Sequence, residues 1–589
     1  MDPQLQVASI ILILLGFLIW GRWRYDGVTL TALAAMVLLG LVPAKEAFLG
    51  FGHPAVITVA LVLLISKALE KSGFINMIGD QLRQKVSGEM QFLIILMLVA
   101  AFLSSFMNNI GAMAMLLPVT IGIAQKMEWN PSKFLMPLAF ASILGGMNTK
   151  IGTPPNIIIS EFREDYSDVA FKFFDFAFAG LPISFLGILF IAFIGWRFVK
   201  LREEGSAQIP LVDIQDYLIE MTIAEDSILV GKRVHELTGE IGTDNVLMGV
   251  VSEKGTIRKP HHRETFEALQ ILVLKISPDD VAGIQTEFGL IIDPDLEDHR
   301  QIGELGEIEA MITPRSRLIG RKYNYFKRMS RGILSLLGLW RQGTKLRRRL
   351  ANEIFKAGDV LLLSSRDTDD RVAEKLELLG LMPLWQRELD VIRDTSRAWQ
   401  ALLIFVLALT AVIFYNVNIL VAFLVCVLAY ASRRLLTGEG IYRHIEWPVV
   451  VMLGAMIPIG GALTSSGLTA ASADFITSNL SGVNVAWVLV VILVFTMFVS
   501  DLINNAATAV IMAPVSMQVA QQMNHPIEPF LMAVAVGASC AFLSPIGHQC
   551  NTLVMGPGNY RFSDYWKLGL PLEILIICIS IPVIMNTWF

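Results

Sequence analysis

Two clusters of neutral polar residues interrupt apolar stretches of the chain, and their residue types suit the binding of small ions. Each cluster has the pattern Ser-x-x-x-Asn-Asn, followed by an apolar run to a proline. The clusters read Ser104-Ser-Phe-Met-Asn108-Asn109 and Ser500-Asp-Leu-Ile-Asn504-Asn505. Hydroxyl and amide oxygens accept a cation, and amide N–H groups donate to an anion. Both clusters are therefore candidates for ion coordination.

A second pair of clusters combines glycine or proline with asparagine. They read Ile151-Gly152-Thr153-Pro-Pro-Asn156 and Ile546-Gly547-His548-Gln-Cys-Asn551. Such residues interrupt helices, and within a membrane an irregular backbone persists only where protein buries it or where it lines a cavity. A break frees carbonyls that coordinate cations and helix N-termini that attract anions. The alternative is that the asparagines only bridge helices by hydrogen bonds, but their double occurrence beside breaks favours a binding site.

The clusters recur in the same order in both halves of the chain. The serines and asparagines of the first pair lie 396 positions apart, and the glycines and asparagines of the second pair lie 395 apart. Upstream, a further match has an offset of 394, between Ala68-Leu69 with Ser72-Gly73 and Ala462-Leu463 with Ser466-Gly467. Several matches at nearly one offset indicate an internal repeat.

Together the clusters predict one site to which both halves contribute. Its members are Ser104, Asn108, Asn109, Gly152, Thr153 and Asn156, with Ser500, Asn504, Asn505, Gly547 and Asn551 opposite. Three ionisable residues adjoin them, namely Lys150, Asp501 and His548. Ionisable groups at membrane depth are functional candidates by default, whereas a lysine near a helix end also reaches the interface with its long side chain. Both interpretations of Lys150 stay open at this point.

The composition excludes an ordinary soluble protein as the setting of this site. Hydrophobic residues make up 54% of the 589 positions and charged residues 17%, with a mean hydropathy of +0.58, whereas soluble domains carry about 25% charged residues. A membrane span needs about 20 apolar residues, and apolar runs occur at 7–20, 92–107, 176–198, 401–415, 449–463, 485–500 and 573–589. The net charge of −5 argues against a nucleic-acid partner. We find no nucleophile–base pair or metal-ligand spacing typical of an enzyme.

Hydropathy divides the chain into membrane repeat 1 at residues 1–200, a charged insert at 201–396 and membrane repeat 2 at 397–589. Basic residues mark cytoplasmic loops, and those used here are Arg22, Arg24, Lys67, Lys71, Arg83, Lys85, Arg433, Arg434 and Arg443. By this rule the first half starts outside and crosses inward, whereas the second half starts inside. The pattern predicts an inverted repeat with the insert in the cytoplasm.

The insert contains a repeat of its own. Ser227-Ile-Leu-Val-Gly231-Lys232 recurs as Ser316-Arg-Leu-Ile-Gly320-Arg321, 89 positions later, and the run at 271–274 recurs at 360–363. Short β-branched runs between turn residues are typical of strands. We therefore expect two small α/β modules in tandem, at about 207–290 and 300–385.

The membrane halves resemble the divalent anion/sodium symporters, which are the sulfate and dicarboxylate carriers of the wider ion-transporter superfamily. That family carries Ser-Asn-Thr at the tip of a re-entrant hairpin in each repeat, and Asn108-Asn109-Ile110 and Asn504-Asn505-Ala506 occupy those positions here. With the clusters above, we expect sodium to be held by Ser104, Asn108, Asn109, Gly152, Ser500, Asn504, Asn505 and Gly547. We expect the substrate to be bound by Asn109, Thr153, Asn156, Asn505, Asn551 and Lys150. The loss of both threonines favours the compact sulfate ion over a dicarboxylate.

The insert resembles the C-terminal ligand-sensing modules (RCK-C) of potassium-transport regulatory subunits, which occur in tandem in a sulfate-type branch of the same symporters. The resemblance depends on the Ser-x-Leu-(Val/Ile)-Gly-(Lys/Arg) turn and on the strand that follows it. Arginines are frequent at residues 315–349. They would bind a nucleotide or lipid phosphate, or else form a solvated cytoplasmic face.

The sequence as a whole predicts an all-α polytopic membrane protein with inverted repeats and re-entrant hairpins, plus an inserted cytoplasmic α/β tandem domain. The expected function is sodium-coupled sulfate transport at the cell (inner) membrane, without a cofactor, and with a dicarboxylate as the second choice of substrate. The resemblance further implies an elevator mechanism and a homodimer. A membrane sensor of sulfur supply and a channel gated by the insert are the alternatives. Since no pore-lining selectivity segment is evident, a carrier is favoured over a channel.

Overall fold

The computed structural model describes residues 2–20, 23–73, 88–127, 129–199, 217–233, 246–251, 257–258, 264–276, 284–291, 306–313, 316–341, 353–365, 369–385, 395–433, 435–436, 445–480, 482–545 and 547–589. Several residues used above lie outside this description, namely Ile546, part of the stretch 315–349, and the orientation markers Arg22, Arg83, Lys85, Arg434 and Arg443.

The chain forms two compact units. The first comprises Met1–Lys200, Ile392–Val554 and Arg561–Phe589, so two distant stretches of sequence fold together. The second comprises Leu201–Val391 with Met555–Tyr560.

Among the described residues of the first unit, all regular elements are helices. Its first half contains α1 (Pro3–Trp20), α2 (Tyr25–Leu38), α3 (Pro54–Lys71), α4 (Glu89–Phe106), α5 (Asn109–Lys126), α6 (Ser132–Gly146), α7 (Pro154–Ser167) and α8 (Ala177–Phe193). Its second half contains α11 (Thr395–Tyr415), α12 (Ile419–Ser432), α13 (Trp447–Ser465), α14 (Leu468–Asn479), α15 (Val485–Leu502), α16 (Asn505–Gln522), α17 (Glu528–Ser539), α18 (Gln549–Met555) and α19 (Phe562–Trp588). The labels α9 and α10 belong to the second unit.

The two halves of this unit match each other helix by helix around the polar clusters. Helices α15 and α16 begin and end 396 positions after α4 and α5, and α12 begins and ends 394 positions after α2. These equal lengths show that the sequence repeat is also a repeat of secondary structure.

Apolar composition and local caps explain where these helices form. Within the described residues, six helices are long and apolar enough to cross a membrane, namely α1, α4, α11, α13, α15 and α19. Helix α12 begins after Asn418, whose side-chain oxygen accepts the Leu420 N–H at 2.9 Å, and α3 begins at Pro54, where the missing N–H costs no hydrogen bond.

Glycines set how closely the central helices approach each other. A Cβ atom on Gly145 of α6 would lie 2.2 Å from the Ala101 carbonyl oxygen of α4, and one on Gly537 of α17 would lie 2.9 Å from the Leu493 carbonyl oxygen of α15. Backbone contact of this kind between helices requires a small residue. It occurs at the same helix pair in both halves.

Within its described residues, the second unit contains one sheet of nine strands. These are β1 (Tyr217–Ile223), β2 (Val246–Val251), β3 (Ile257–Arg258), β4 (Ile271–Ile276), β5 (Leu290–Ile291), β6 (Gly306–Ile312), β7 (Ser335–Trp340), β8 (Val360–Ser365) and β9 (Leu381–Trp385). The order is β3-β2-β4-β1-β7-β8-β6-β9, with β5 beside β1. The strand pairs are antiparallel, and β1 joins β7 through Leu218 opposite Leu339. Helices α9 (Tyr323–Ser330) and α10 (Asp369–Leu379) pack on the half that contains β6 to β9.

The sequence repeat within this unit corresponds to one repeated turn. The Ser227 hydroxyl oxygen accepts the Leu229 N–H at 3.1 Å, and the Ser316 hydroxyl oxygen accepts the Leu318 N–H at the same distance. Gly231 and Gly320 follow with φ values of 84° and 75°, a region that glycine enters without strain. The two copies of this sequence motif therefore form the same local turn.

Candidate functional site

The Ser-x-x-x-Asn-Asn clusters form tight turns between consecutive helices. In the first turn (residues 107–108), α4 ends at Phe106 and α5 begins at Asn109, and in the second turn (residues 503–504), α15 ends and α16 begins. The side-chain oxygen of Asn108 accepts the Ile110 N–H at 3.3 Å, and that of Asn504 accepts the Ala506 N–H at 2.9 Å. These two asparagines therefore cap the helices that follow the turns.

The next asparagine in each cluster is bound to the serine five residues before it. The Ser104 hydroxyl lies 2.7 Å from Asn109 Oδ1, and the Ser500 hydroxyl lies 3.1 Å from Asn505 Oδ1. All four side chains are buried. The two turns thus present equivalent oxygen pairs, as the sequence repeat predicts.

The glycine and proline clusters are irregular segments between helices. The first break (residues 147–153) separates α6 from α7, and the second break (residues 540–548) separates α17 from α18. Asn156 Nδ2 donates to the carbonyl oxygens of Gly146 at 3.5 Å and Thr149 at 2.8 Å. These acceptors lie ten and seven residues before it.

The second break is held by the same pair of contacts. Asn551 Nδ2 donates to the carbonyl oxygens of Ala541 at 2.9 Å and Ser544 at 3.1 Å, again ten and seven residues before it. Asn156 and Asn551 therefore fix the irregular backbone of their breaks. This role is compatible with the expected contact to substrate, and the Oδ1 atom of Asn551 is buried without a hydrogen-bond partner.

Each turn packs directly against the break of its own half. A Cβ atom on Gly146, at the end of α6, would lie 2.2 Å from Asn109 Oδ1, and one on Gly547 would lie 3.0 Å from the Asp501 carbonyl oxygen. Within the first break, Gly152 lies so close to Gly146 that its Cβ would be 2.5 Å from the Gly146 carbonyl oxygen. The structure thus brings together the clusters that the sequence places about 40 residues apart.

One hydrogen bond joins the two halves at this point. His548 Nε2 lies 3.2 Å from the amide nitrogen of Asn109, while His548 Nδ1 accepts the Cys550 N–H at 3.1 Å. This contact and the Ser104 hydroxyl, which donates to Asn109 Oδ1, together hold the Asn109 side chain in place.

Lys150 is buried within the protein. Its residue is 6% exposed, and its backbone N–H donates to the Phe173 carbonyl oxygen at 3.0 Å. The ammonium group interacts electrostatically with Glu161 of α7, and both line a cavity of about 880 Å³ together with Phe171 and Phe173. Burial beside a carboxyl group is compatible with the expected role of Lys150 in anion binding, and that role stays a prediction.

Helix α7 itself contributes little to anion binding at its N-terminus. Its first two residues are Pro154 and Pro155, which have no N–H, and the Asn156 N–H donates to the Thr153 carbonyl oxygen at 3.2 Å. Helices α5 and α16 instead begin at the turns, where the helix dipole is positive and where Asn108 and Asn504 each cap one N–H group.

The sequence did not single out several polar residues that line the breaks. Ser105, Asn148 and Ser184 form one hydrogen-bonded group, and Glu161 and Glu573 are buried carboxyl groups. An acidic residue inside a long apolar helix, such as Glu573 in α19, is the signal that points to it. Within the described residues, no group of three or more potential metal ligands occurs.

Two matched sets of apolar helices, interrupted at paired positions by polar breaks, define a multi-pass membrane transporter. The chain belongs to the citrate transporter (CitMHS) family, whose sequence profile matches residues 15–537 and 473–588.

Several relatives match nearly the whole chain. The uncharacterized transporter YfbS of Escherichia coli is 29% identical over 98% of this chain and 98% of its own length. A candidate sulfur deprivation response regulator of Chlamydomonas reinhardtii is 24% identical over 94% of this chain and 97% of its own. Sodium/sulfate cotransporter 2 of the same organism is 20% identical over 96% of this chain and 88% of its own.

These matches confirm the coarser part of what the sequence predicted. The protein is a mostly helical, multi-pass membrane transporter, and its similarity to a sodium/sulfate cotransporter lies at low identity within the citrate transporter family. A family of transporters also fits the prediction that the chain is not an enzyme. The resemblance of the insert to ligand-sensing modules stays a prediction.

Proposed function

We propose that this protein is a secondary carrier that couples the movement of sodium to that of a small divalent anion. The observation that supports the proposal is the repetition of contacts at both breaks. The same serine–asparagine pair and the same asparagine-to-carbonyl bonds, at the same sequence separations, occur in both halves. Paired broken helices are where secondary transporters bind their substrates and ions.

Sodium is the expected cation because the paired oxygens are uncharged. Asn109 and Asn505, each beside a serine hydroxyl, offer amide oxygens next to irregular backbone with further carbonyls. The proposed sodium ligands also include Ser104, Asn108, Gly152, Ser500, Asn504 and Gly547. Asn108 and Asn504 act within it as helix caps that hold the turns in shape.

The anion is proposed to lie between the N-termini of α5 and α16, with Lys150 as the cationic partner. The other proposed contacts to the anion are Asn109, Thr153, Asn156, Asn505 and Asn551. Sulfate remains the first choice, since both family threonines are replaced by apolar residues and a sodium/sulfate cotransporter is among the relatives. The family description favours a carboxylate such as citrate as the second choice.

The remaining features of the proposal come from the resemblance and from the charge pattern. Transport would proceed by an elevator motion of a homodimer in the cell (inner) membrane, with the insert in the cytoplasm as a regulatory element. A nucleotide or another small ligand on the insert would adjust the rate. Excision of residues 206–390 with a flexible linker should change the rate and leave the substrate preference as it is. A changed substrate preference in the folded, excised carrier would assign the insert to the transport site.

Uptake into proteoliposomes tests the proposed activity. Purified protein is reconstituted, an inward sodium gradient is applied, and radiolabelled sulfate and citrate are compared, with potassium in place of sodium as the control. We expect sodium-dependent accumulation of sulfate. Full-rate uptake without sodium would contradict the proposed coupling, and accumulation of citrate alone would replace sulfate as the substrate.

A sensor of sulfur supply is the second candidate function. The observation that favours it is the similarity to a candidate sulfur deprivation response regulator over most of the chain. A sensor binds its anion without moving it across the membrane. Counterflow of labelled sulfate therefore separates the two, because a carrier exchanges internal for external sulfate and a sensor does not.

A further inference from the structure

The cavity beside Lys150 lies where several helices end. Its walls include Pro54, the first residue of α3, and the residues from Asn416 to Val421, which join α11 to α12. Helix α11 is one of the candidate membrane spans and ends at the exposed Tyr415. Tyrosine at the end of a span marks the level at which lipid headgroups meet acyl chains. The cavity therefore lies at headgroup level.

One wall of this cavity is apolar and faces outward. It consists of the end of α11 and the start of α12, with Val412, Ile413, Val417, Leu420 and Val421. Val421 is 51% exposed. Helix α12 packs on α3, which also packs on α7, so the apolar wall and α7 flank the same helix. Exposed aliphatic side chains on a membrane helix offer contact to an acyl chain.

The opposite wall carries charges of both signs. It contains the exposed Lys172 and Glu164 and the half-buried Asp175, besides the buried Lys150 and Glu161. Among the carboxyl groups, Glu161 acts most strongly on Lys150, and Glu164 and Asp175 also act on it. Three carboxyl groups thus lie on this wall with two ammonium groups. Such a wall favours a ligand that carries a cation as well as an anion.

The exposed charges of this wall are available to a ligand. The salt bridges of the described residues include neither Lys172 nor Glu164. Asp175 Oδ2 accepts the Lys172 backbone N–H at 2.8 Å, which holds this carboxyl group beside the lysine. Arg163 of α7, in contrast, pairs with Glu528 at 3.1 Å and stacks on Phe171.

We propose that this cavity binds a zwitterionic phospholipid with a primary ammonium group, such as phosphatidylethanolamine. Its phosphate pairs with Lys172, its ammonium group donates to Glu164 and Asp175, and an acyl chain lies along Val417 and Val421. A primary ammonium group has three N–H donors. The trimethylated headgroup of phosphatidylcholine has none, and the headgroup of phosphatidylglycerol has no cation. The site does not depend on which ion the protein carries.

Lipid titrations of the purified, delipidated full-length protein in detergent test this preference. Thermal unfolding is followed as phosphatidylethanolamine, phosphatidylcholine or phosphatidylglycerol is added, because a ligand of the folded state raises the unfolding temperature with its concentration. We expect phosphatidylethanolamine to act at a concentration about fivefold lower than either other lipid. Equal effects of the three lipids would overturn the proposal.

Charge variants locate the headgroup. The double variant Glu164→Gln/Asp175→Asn should remove the preference for phosphatidylethanolamine over phosphatidylcholine, and Lys172→Met should weaken both lipids equally. The control is Asp168→Asn, which removes an exposed carboxyl group that follows α7 outside the cavity wall, at a φ of 55° that asparagine tolerates. A preference that persists in the double variant would contradict the proposed headgroup contacts.

A filled cavity provides an independent test. Val421→Trp places a large ring in the cavity and should abolish the response to phosphatidylethanolamine, whereas Leu424→Trp, at an exposed position of the same helix outside the cavity, should retain it. Equal responses of these two variants would mean that lipid only coats the outer helices, which would overturn the proposal. A shift caused by inorganic phosphate and lost in Val421→Trp would instead assign the cavity to a free anion.

Discussion

The first and second breaks share a scaffold but differ in their charges. Both are tied by an asparagine to the carbonyls ten and seven residues earlier. The first break carries Lys150 with Glu161 nearby, where the second has Pro545 and Gly556. The second carries Asp501 and Glu573, where the first has serines. The irregular backbone therefore has the same geometry at both breaks, whereas the charged side chains around it differ between the two halves.

The largest expected effect of a single change concerns Gly146, whose counterpart at the second break is Ala541. In Gly146→Ala the new methyl group would lie 2.2 Å from Asn109 Oδ1, and overpacking of this kind costs about 1–3 kcal/mol. We expect the sodium half-saturation of uptake to rise about tenfold or more, since about 1.4 kcal/mol corresponds to tenfold. Ala541→Gly is the matched control and should have little effect. An unchanged sodium dependence in Gly146→Ala would separate Asn109 from the sodium site.

The next effect concerns the charges of the first break. Lys150→Met and Glu161→Gln each remove one member of a buried pair that interacts electrostatically, and we expect each change to lower stability by about 1 kcal/mol. The double variant Lys150→Met/Glu161→Gln should recover much of that loss, as measured by thermal unfolding in detergent. It should still show a raised half-saturation constant for the anion, because the cation is absent. Normal affinity in a stable double variant would leave Lys150 with a structural role only.

A smaller effect tests whether the two asparagines are equivalent. Asn156→Asp and Asn551→Asp each replace an amide donor by an acceptor that faces two backbone carbonyls, and an unsatisfied buried group costs about 1–3 kcal/mol. Thermal unfolding should show similar losses for both, with Asn108→Asp as a control at a capping position that accepts an aspartate. A large effect in one half only would contradict the shared scaffold.

The smallest effect on transport is expected in the second unit. Arg341 donates to both oxygens of Asp359 at 2.7 Å and to Glu353 at 3.2 Å, and the hydrogen bond to Asp359 raises the pKa of the Arg341 guanidinium. Because this pKa lies far above neutrality and is raised further in the folded protein, Arg341 stays charged near neutral pH, and its own ionisation adds no pH dependence there. Arg341→Lys loses the bidentate geometry and should speed proteolysis of the unit. The substrate preference should not change, and Arg328→Lys, at an exposed position, is the control.

The sequence predicted the breaks because glycine, proline and asparagine act locally. The structure has the expected turns and breaks at Ser104, Asn109 and Asn156. The offset near 396 predicted the equivalent turn and break in the second half. The capping role of Asn108 and the burial of Lys150 could not be predicted, because a sequence does not show how deeply a residue is buried or where its side chain points.

The partners of these residues could not be predicted in the same way. Glu161 meets Lys150 across a turn of irregular backbone, and Glu573 meets Asp501 across 72 positions of sequence. Such pairs arise from helix packing, which is set by glycines such as Gly180 and Gly569 and not by a local pattern. The strands of the insert are easier to predict from the sequence. Strands β4 and β8, for example, begin at the residues where the β-branched runs begin.

In the proposed carrier, the two turns are equivalent halves of one sodium-coupled site. The sodium dependence of labelled sulfate uptake in proteoliposomes containing Asn109→Ala or Asn505→Ala, beside the wild type, tests this equivalence. Each variant should remain folded and should raise the sodium half-saturation, or lower the sodium Hill coefficient, to a similar extent. Unchanged sodium dependence in both variants, with normal uptake, would contradict the claim.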